Sequence, residues 1–354
     1  EEVIEMKAMR LHKIGEFTLD EVEKPVPKGK EILMKIGACG ICGSDLPRVY
    51  ELGTRVYPVT LGHEFAGTVE AVGEDADPAL VGRRAAVFPC IPCRTCENCE
   101  TGNYAECTNY QYLGSRNDGG FAEYCLIPSD WHLVLSSNPD VTLENLSLVE
   151  PATVAQHALR RGTLAAGEKI VIIGAGPIGI MEARWAEIFG AGKIALLEIN
   201  DVKIEFARAR NLTVYDVKDP NCIAQVLSDF GRVDVVIEGT GTGSGCNTAI
   251  QLCRAFGRIV LMGNPHRDTT LTLDNHSLIL RKELNVLGMW NSHYAPLPFN
   301  EWNYTVEKID SGELAVADLI THRASLAGLK ALFDGIHDRS ITICKAIYSA
   351  DEKD

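Results

Sequence analysis

The stretch that decides the fold is Lys169–Gly179, which reads KIVIIGAGPIG. The apolar run after Lys169 is typical of a strand that is buried on both faces of a parallel sheet. Glycines follow at the spacing Gly174-x-Gly176-x-x-Gly179, and a segment with helical apolar periodicity, Ile178–Phe189, comes next. In this strand–turn–helix context the glycines let a pyrophosphate approach the N-terminus of the helix. The motif therefore favours a dinucleotide site over a glycine turn without a ligand.

A second predicted strand, Lys193–Glu198, ends on an acidic residue nineteen residues after Gly179. A carboxylate at that position can bind the diol of the adenosine ribose and would repel a 2′-phosphate. The sequence thus favours NAD(H) over NADP(H), although Lys203 and Arg208 are near enough in sequence to weaken that preference. The predicted cofactor-binding residues are Gly174, Gly176, Pro177, Ile178, Gly179 and Glu198.

Strand and helix patterns continue to alternate after this segment. Further strands are predicted at Val233–Glu238 and Arg258–Met262, with helix-like segments between them. Such alternation predicts parallel βαβ units in a doubly wound sheet.

The two ends of the chain follow a different pattern. Before Glu150 the strand-like runs are short and closed by glycine, as in Glu31–Ile36 and Gly67–Val72. After residue 292 the pattern is mixed, with Pro296 and Pro298 early and a predicted helix at Leu326–Ile336. The simplest architecture is a β-rich domain formed by residues 1–153 and 293–354, with an α/β domain of residues 154–292 inserted in it.

Composition limits the classes of partner. The 354 residues carry a net charge of -14, which disfavours nucleic acid and anionic membrane surfaces, because both are bound mainly through their phosphates. The apolar stretch Ile170–Met181 is twelve residues long, whereas a bilayer span needs about twenty. The start of the chain, Glu1–Val3, has neither a basic nor an apolar segment of a secretion signal. We therefore expect a cytoplasmic protein without membrane or nucleic-acid partners.

Four cysteines are grouped at Cys93, Cys96, Cys99 and Cys107, within a lobe of residues 90–108. The two-residue gaps allow a tight loop to aim successive sulfurs at one zinc ion, and four thiolates leave no open coordination position. The prediction is a structural zinc. Free surface thiols or a disulfide are the alternative, and a nucleic-acid zinc ribbon is disfavoured because the loop is acidic. Cys90 lies just outside the pattern and is left unassigned.

A second set of candidate ligands is dispersed: Cys42, His63 with the adjacent Glu64, and Glu150. A catalytic zinc takes about three protein ligands and keeps a fourth position for water or substrate. Each residue alone has a simpler explanation. Cys42 could be a small buried apolar side chain, His63 a hydrogen-bonded core residue, and Glu150 a member of an ion pair. Taken singly, these simpler explanations are favoured.

Together the motifs resemble the zinc-containing medium-chain dehydrogenase/reductases, in their polyol dehydrogenase branch. The matching segments run in that family's order over essentially the whole chain: Cys42–Asp45, Gly62–Glu64 with Gly67 and Gly73, the four-cysteine lobe, Glu150–Pro151 and the dinucleotide motif. The resemblance implies a GroES-like β-rich catalytic domain with an inserted Rossmann domain. It also implies an NAD-dependent oxidoreductase with one catalytic and one structural zinc per subunit.

The resemblance implies roles for individual residues. Cys42, His63 and Glu150 would hold the catalytic zinc, with Glu64 as a neighbouring or exchanging carboxylate. Ser44 would accept the substrate proton. Alcohol dehydrogenases proper often place a relay histidine shortly after that hydroxyl, whereas Leu46, Pro47 and Arg48 follow it here. The exit path of the proton is therefore open among Glu64, water on the zinc and the ribose hydroxyls.

Several segments are similar to the corresponding segments of family members that act on polyol phosphates such as galactitol 1-phosphate. They are Cys42–Arg48, Tyr57–Phe65, Gly114–Tyr124 and Arg281–Leu284. A phosphate needs a local cationic pocket in an acidic chain, and Arg is suited to bidentate phosphate contact. Arg48 and Arg116 are the candidates, although each could instead form a structural salt bridge. Trp290 and Asn291 are further substrate-binding candidates.

Other functions stay open from sequence alone. A dehydrogenase of a free polyol, threonine or another secondary alcohol is the second enzymatic interpretation. A sensor that binds NAD without turnover would be expected to have lost the open zinc site, yet Cys42, His63 and Glu150 are all present. The resemblance further suggests a homodimer or homotetramer in which edges of the Rossmann sheet pair.

Overall fold

The computed structural model describes residues 4–295 and 299–353. Glu1–Val3, for which no secretion signal is predicted, lie outside the described residues, as do Pro296 and Pro298. Contacts divide the chain into a first unit of Glu1–Pro151 with His293–Asp354 and a second unit of Ala152–Ser292. The division falls inside the helix Val149–Arg161, two residues before the boundary expected from sequence.

The first unit is mainly antiparallel. One sheet has the order β2-β1-β4, a second has the order β10-β6-β5-β3-β18-β17 with β9 paired to β3, and β7 pairs with β8. The strands are β1 (Glu5–Lys13), β2 (Glu16–Glu23), β3 (Ile32–Gly40), β4 (Val59–Thr60), β5 (Glu64–Val72), β6 (Arg84–Val87), β7 (Cys90–Ile91), β8 (Gln111–Tyr112), β9 (Tyr124–Ile127), β10 (Leu133–Leu135), β17 (Ile320–Ala324) and β18 (Lys345–Ser349).

Short helices connect these strands. The α-helices are α1 (Asp45–Pro47), α2 (Glu97–Glu100), α3 (Leu143–Ser147), α4 (Val149–Arg161), α10 (Glu301–Asp310) and α11 (Leu326–His337). A π-helical turn covers Arg48–Leu52, and 3₁₀ turns cover Pro78–Leu80, Tyr104–Glu106, Asp130–His132 and Ala317–Leu319. The predicted strands at Glu31 and Gly67 and the predicted helix at Leu326 are confirmed as β3, β5 and α11, with longer bounds.

The second unit is a six-stranded sheet in the order β13-β12-β11-β14-β15-β16, and every neighbouring pair is parallel. This order is that of a dinucleotide-binding doubly wound sheet. Its strands are β11 (Lys169–Ile173), β12 (Lys193–Glu198), β13 (Val214–Asp216), β14 (Val233–Glu238), β15 (Cys253–Leu261) and β16 (Asn285–Gly288). Its helices after α4 are α5 (Pro177–Ile188), α6 (Asp201–Arg208), α7 (Cys222–Phe230), α8 (Gly243–Leu252) and α9 (Leu273–Arg281).

The central strands explain why sequence reading succeeds here. Ile170, Val171 and Ile172 of β11 are fully buried, as are Val235 and Val236 of the neighbouring β14. Strands covered by helices on both faces have no polar face, so they read as continuous apolar runs. β11, β12 and β14 have the predicted bounds, whereas β15 begins at Cys253, earlier than predicted. In the described part of the chain no helix is both long and apolar enough to cross a bilayer.

Candidate active site

Cys42 lies just beyond the end of β3, in a turn that Asp45 closes. The backbone N–H of Cys42 donates to the Asp45 carboxylate at 3.0 Å, and the Asp45 N–H donates back to the Cys42 carbonyl at 2.9 Å. The Asp45 side chain is fully buried. This reciprocal pair fixes the backbone that carries the Cys42 thiol.

His63 and Glu64 are positioned by Gly62, which precedes β5. Gly62 has φ +93°, and a Cβ there would lie 2.6 Å from the Cys39 sulfur. Only glycine meets both conditions, because the left-handed conformation disfavours side chains and no space is available for one. β5 then pairs with β3 so that Glu64 lies opposite Gly40. The register brings Glu64 next to the turn that holds Cys42.

Cys42, His63 and Glu64 form a cluster, which we call the open group. Their ligand atoms all lie within 4.8 Å of one another. The His63 ring is buried, and its Nδ1 atom faces the Asp45 carboxylate, so Nε2 is the ring nitrogen available to a metal. A thiol, an imidazole and a carboxylate are the donor types that a catalytic zinc takes. The residues present therefore fit a zinc ion with an open coordination position.

Asp45 also supports this group electrostatically. Its Oδ1 atom lies 3.6 Å from His63 Nδ1 and 3.0 Å from Arg48 Nη1. Burial alone would raise the pKa of Asp45, but His63, Arg48 and the Cys42 N–H outweigh it and hold the pKa below its ordinary value. Asp45 is thus a buried anion beside the His63 ring, a common arrangement for metal-binding histidines.

Lys345, on β18, is a site residue that sequence reasoning missed. Its ammonium forms a buried ion pair with Glu64 and donates to the Ile41 carbonyl at 2.9 Å. Burial would lower the pKa of Lys345, but Glu64 and then Cys42 raise it above its ordinary value. A signal was present, because a lysine beginning the buried strand Lys345–Ser349 requires a partner.

Glu150, in the first turn of α4, is not one of the three clustered ligand residues of the described chain. It is a buried carboxyl with an exposed fraction of 8%. Burial raises its pKa to about 7, while His63 acts in the opposite direction and Glu64 adds to the rise. Glu150 therefore lies within electrostatic reach of the open group, and its place as third ligand remains a prediction.

Ser44 and Arg48 form a second contact pair at this site. The Ser44 hydroxyl donates to the Cys42 sulfur at 3.3 Å and accepts from Arg48 Nη1 at 2.7 Å. Arg116 is engaged differently, since its Nη1 donates to the Tyr110 carbonyl and its guanidinium lies 3.8 Å from the centre of the Tyr110 ring. Of the two arginines, Arg48 is the one bonded to the proposed proton-accepting hydroxyl.

The four cysteines of the lobe come together in the first unit, and none forms a disulfide. The sulfurs of Cys93 and Cys99 are 4.0 Å apart, and those of Cys96 and Cys107 are 3.9 Å apart. A tetrahedral zinc with Zn–S bonds of about 2.3 Å requires sulfurs about 3.8 Å apart. The spacing matches a four-thiolate zinc with no open position.

The surroundings of the lobe shift the pKa values of its thiols in both directions. Hydrogen bonds from the backbone of Thr108, then of Cys99, lower the pKa of the Cys96 thiol to about 5. Burial raises the pKa of Cys99 to about 12, and neighbouring thiols add to this rise. Cys90 is buried, and its thiol donates to the Tyr104 carbonyl at 3.6 Å. A cation among the four sulfurs would offset the cost of the added negative charge.

The glycine motif of the second unit forms the turn between β11 and α5. Gly174 has φ +114°, and a Cβ on Gly179 would lie 2.1 Å from the Gly174 carbonyl. Gly176 is the N-cap of α5, with Pro177 and Ile178 as its first residues. The motif therefore presents the N-terminus of a buried helix, as the sequence predicted.

Glu198 lies at the end of β12, beside this turn. Its carboxylate accepts from the backbone N–H groups of Ala175 at 2.9 Å, Ile199 at 2.8 Å and Asn200 at 3.0 Å. A cavity of about 380 Å³ is lined by Gly174, Glu198 and residues after β14.

The two basic residues that follow Glu198 in the sequence make other contacts. Arg208 donates to Glu205 and to the Val214 carbonyl. Lys203 contributes its backbone N–H to the Asn200 cap of α6.

Trp290 and Asn291 follow β16 in the second unit. Trp290 is exposed, with 57% of its surface accessible. Asn291 has φ +52°. Their substrate-binding role stays a prediction.

Comparison with known proteins identifies the family. Two family models match: the alcohol dehydrogenase GroES-like domain over residues 28–137 and the zinc-binding dehydrogenase over residues 177–311. Galactitol 1-phosphate 5-dehydrogenase of Escherichia coli strain K12 is 33% identical over 310 residues, covering 86% of this chain and 89% of that enzyme. The chain belongs to the zinc-type medium-chain alcohol dehydrogenase family. Sorbitol dehydrogenase of Bacillus subtilis strain 168 is also similar to this dehydrogenase, with 30% identity over 91% of this chain and 90% of that enzyme.

Solved structures agree with this assignment. The crystal structure of galactitol-1-phosphate dehydrogenase from Escherichia coli has a TM-score of 0.90 and 30% identity, covering 97% of this dehydrogenase and 100% of that chain. A zinc-binding dehydrogenase of Sinorhizobium meliloti 1021 bound to NADP has a TM-score of 0.89 and 26% identity, with coverage of 98% and 99%. A short chain alcohol dehydrogenase of Escherichia coli CFT073 complexed with NADH has a TM-score of 0.87 and 25% identity, also with coverage of 98% and 99%.

The predicted fold, a GroES-like β-rich domain with an inserted Rossmann domain, is confirmed. This dehydrogenase is a zinc-dependent enzyme of the polyol and alcohol dehydrogenase class.

Proposed function

We propose that this dehydrogenase oxidises a secondary hydroxyl of a polyol phosphate similar to galactitol 1-phosphate, giving a ketose phosphate and passing hydride to NAD. The observation that supports it most is the place of Arg48, whose guanidinium is bonded to Ser44 beside the open group. One relative is named for galactitol 1-phosphate and another for sorbitol. Oxidation of a non-phosphorylated polyol, threonine or another secondary alcohol is the alternative.

Cys42, His63 and a carboxylate, Glu150 or Glu64, would hold the catalytic zinc. When bound, zinc supplies a Lewis acid that lowers the pKa of a substrate hydroxyl. Glu64 is held by Lys345 in an ion pair, so Lys345 must release Glu64, or share it, if that carboxylate is to act as a ligand. Glu150 has no such ion pair in the described chain, which favours it as the third ligand.

Ser44 is the proposed acceptor of the proton from the substrate hydroxyl. Its oxygen already accepts from Arg48 Nη1 and its own proton points to the Cys42 sulfur. Arg48 cannot take the proton onward, because a guanidinium stays protonated at all relevant pH values. Arg48 instead orients the hydroxyl, and the proton must leave through another group, such as Glu64 or a ribose hydroxyl of the cofactor.

Arg48 is also the proposed phosphate contact. Its Nη1 atom is used by Ser44 and Asp45, while Nε and Nη2 make no hydrogen bond to the described residues. Its side chain is 27% exposed. A guanidinium with free donors and partial exposure can bind a phosphate in bidentate fashion. Arg116, engaged by Tyr110, is the weaker candidate.

Initial rates test this proposal. With NAD as the cofactor, the substrates compared are galactitol 1-phosphate, galactitol, sorbitol and threonine. Each is measured with the wild type, with Arg48→Ala, with Arg116→Ala and with Arg83→Ala, a control at an exposed position. Loss of a charged hydrogen bond should raise KM for the phosphate about 10- to 100-fold in Arg48→Ala, with a much smaller effect on the free polyol. An equal rise in KM for the phosphate and for the free polyol would contradict the proposal that Arg48 binds the phosphate. Threonine as the best wild-type substrate would favour the alternative.

The proposed preference for NAD rests on Glu198, whose carboxylate lines the cavity of about 380 Å³ beside the glycine turn. A 2′-phosphate placed there would meet a like charge. The same rate measurements with NADP test the preference, and faster turnover with NADP at low concentration would overturn it.

A homodimer or homotetramer is also proposed. β16 pairs only with β15 among the described strands, so its other edge is unpaired. Val286 on β16 and Leu280 on the adjacent α9 are 43% and 69% exposed. An unpaired edge with exposed apolar side chains is a surface that proteins usually cover. Light scattering should show that Val286→Lys lowers the mass to that of a monomer while the exposed control Val202→Lys leaves it unchanged.

A further inference from the structure

Three hydroxyls follow β14 along one wall of the cavity described above. We call Thr240, Thr242 and Ser244 the hydroxyl row. The Thr240 and Thr242 oxygens are 2.8 Å apart, and the Thr242 and Ser244 oxygens are 3.1 Å apart. All three residues line the same cavity as Glu198. The geometry alone does not say which oxygen of each pair donates the proton.

Glu238 settles the direction at one end of the row. This buried carboxylate, 1% exposed, accepts from the Thr240 hydroxyl, from the Thr240 N–H at 2.9 Å and from the Gly241 N–H at 3.0 Å. Three donors converge on it, so it acts here only as an acceptor. The single hydroxyl proton of Thr240 is thereby committed to Glu238.

The remaining protons follow in order, because each hydroxyl has one proton and two acceptor positions. Thr240 can only accept from Thr242. Thr242 therefore donates to Thr240 and accepts from the Gly245 N–H at 3.0 Å, as the N-cap of α8. The contact between Thr242 and Ser244 must then be a donation from Ser244. Ser244 is left with two acceptor positions and no donor to offer to the cavity.

We infer that Ser244 is a cofactor-contacting residue whose oxygen accepts a hydrogen bond from the adenosine ribose diol, and that the row helps to select NAD(H) over NADP(H). The inference rests on the proposed function. Glu198 already uses three of its roughly four acceptor positions on backbone N–H groups. One position remains there, so the second hydroxyl of the diol needs another acceptor, and Ser244 lines the same cavity.

The same proton order opposes a 2′-phosphate. A phosphate requires donors, yet Glu198 and Ser244 both present acceptors to this cavity. The preference for NAD(H) over NADP(H) therefore comes from two side chains, the charged Glu198 and the neutral Ser244. The neutral side chain, Ser244, depends on Glu238, which accepts the Thr240 hydroxyl proton and the Gly241 N–H and so sets the proton order of the row.

The experiment is isothermal titration of the full-length zinc-loaded enzyme with NADH and with NADPH. Ser244→Ala should raise the Kd for NADH about 3- to 10-fold, the loss of one hydrogen bond, and leave the Kd for NADPH unchanged or lower. Ser228→Ala is the matched control, since Ser228 is exposed on helix α7 and outside the cavity. Thr240→Val should lower the ratio of the NADPH Kd to the NADH Kd, because Thr242 can then donate to Ser244 and free the Ser244 proton.

A third ligand distinguishes the two kinds of hydrogen-bond donor in the adenosine half, the ribose diol and the adenine amino group. The analogue of NADH with hypoxanthine in place of adenine keeps the diol but lacks the amino group. The loss of affinity in Ser244→Ala should therefore persist with this analogue. An unchanged NADH Kd in Ser244→Ala, equal losses for NADH and NADPH, or a loss that vanishes with the analogue would each overturn the inference. A wild type that prefers NADPH would instead refute the proposed use of NAD, whatever Ser244→Ala does.

Discussion

The four-cysteine lobe and the open group are both sets of zinc donors, but they are built in opposite ways. The lobe takes its four sulfurs from the short segment Cys93–Cys107. The open group takes Cys42 from the end of β3, and His63 and Glu64 from the start of β5. It is surrounded by charged side chains, namely the buried Asp45 and Lys345 and the partly exposed Arg48. The charged side chains of the segment Cys93–Cys107 are instead exposed.

The difference follows from what each site must do. Four thiolates close the coordination shell, so local turns are enough to hold a structural zinc. A site that leaves one position open has fewer protein ligands, and its ligands must be held in place when substrate enters. The ion pair of Lys345 with Glu64 and the contacts of Asp45 with the Cys42 turn and the His63 ring supply that support.

The largest effect is expected from His63→Ala, which should break the open group and leave the lobe intact. Zinc content should fall from two ions per subunit to one, and turnover should fall at least about 1000-fold, because Lewis-acid stabilisation is worth several kcal/mol. Metal analysis and initial rates measure both. His276→Ala, at an exposed position on α9, is the control. Retained turnover with a single zinc would show that the open group is not catalytic.

Lys345→Met tests the ring of charges around the open group. It leaves the Glu64 carboxylate buried without its partner, and breaking a buried ion pair on one side costs about 3–5 kcal/mol. Denaturant unfolding of the zinc-loaded enzyme measures the loss. The double variant Glu64→Gln/Lys345→Met should recover much of it, since no charge is then buried unpaired. Equal stabilities of the single and double variants would mean that the pair does not hold the site.

Cys99→Ser tests the lobe in the same way. The variant should lose one zinc per subunit, and its first unit should unfold about 10 °C lower. A structural zinc contributes folding free energy, and each kcal/mol is worth about 2–4 °C in a unit of this size. Turnover per folded molecule at low temperature should be retained. A loss of turnover as large as that of His63→Ala, without unfolding, would contradict the division of roles between the two sites.

The sequence predicted the lobe more directly than the open group, for a physical reason. The spacing of Cys93, Cys96 and Cys99 is local, so the backbone turn alone brings the sulfurs together. Cys42 and His63 meet only because β5 pairs with β3 in one register, and no local pattern encodes that register. Without the family resemblance, the simpler explanation of each residue would have been preferred.

Among the charges around the open group, Lys345 is the one that sequence reasoning missed. Lys345 stands more than three hundred residues from Ile41, whose carbonyl it contacts, and only tertiary structure joins them. The Rossmann strands were the opposite case, because β11, β12 and β14 are buried on both faces and their apolar runs give their bounds directly. The proton order of the hydroxyl row depends on Glu238 as well as on spacing, so it too could be read only from the structure.

The smallest effect is expected beside the lobe, where His132 is packed against Trp131 and Phe88. Its Nδ1 atom lies 3.0 Å from the Phe88 carbonyl, and burial lowers its pKa to about 4 from 6.5. Because the folded pKa is depressed, unfolding takes up a proton below pH 6.5. The stability due to neutral His132 is thus complete above about pH 7 and is lost as the pH falls toward 4, by about 2 kcal/mol at pH 5.

His132→Asn keeps a donor for the Phe88 carbonyl and removes the titration. Its free energy of unfolding should therefore fall by about 2 kcal/mol less than that of the wild type between pH 7.5 and pH 5, as measured by urea titration at both pH values. Protonation of the zinc thiolates affects both proteins alike, so the difference between them isolates His132. His276→Asn, at an exposed position, should behave as the wild type. If His132→Asn is as acid-sensitive as the wild type, the acid sensitivity of the wild type does not come from the titration of His132.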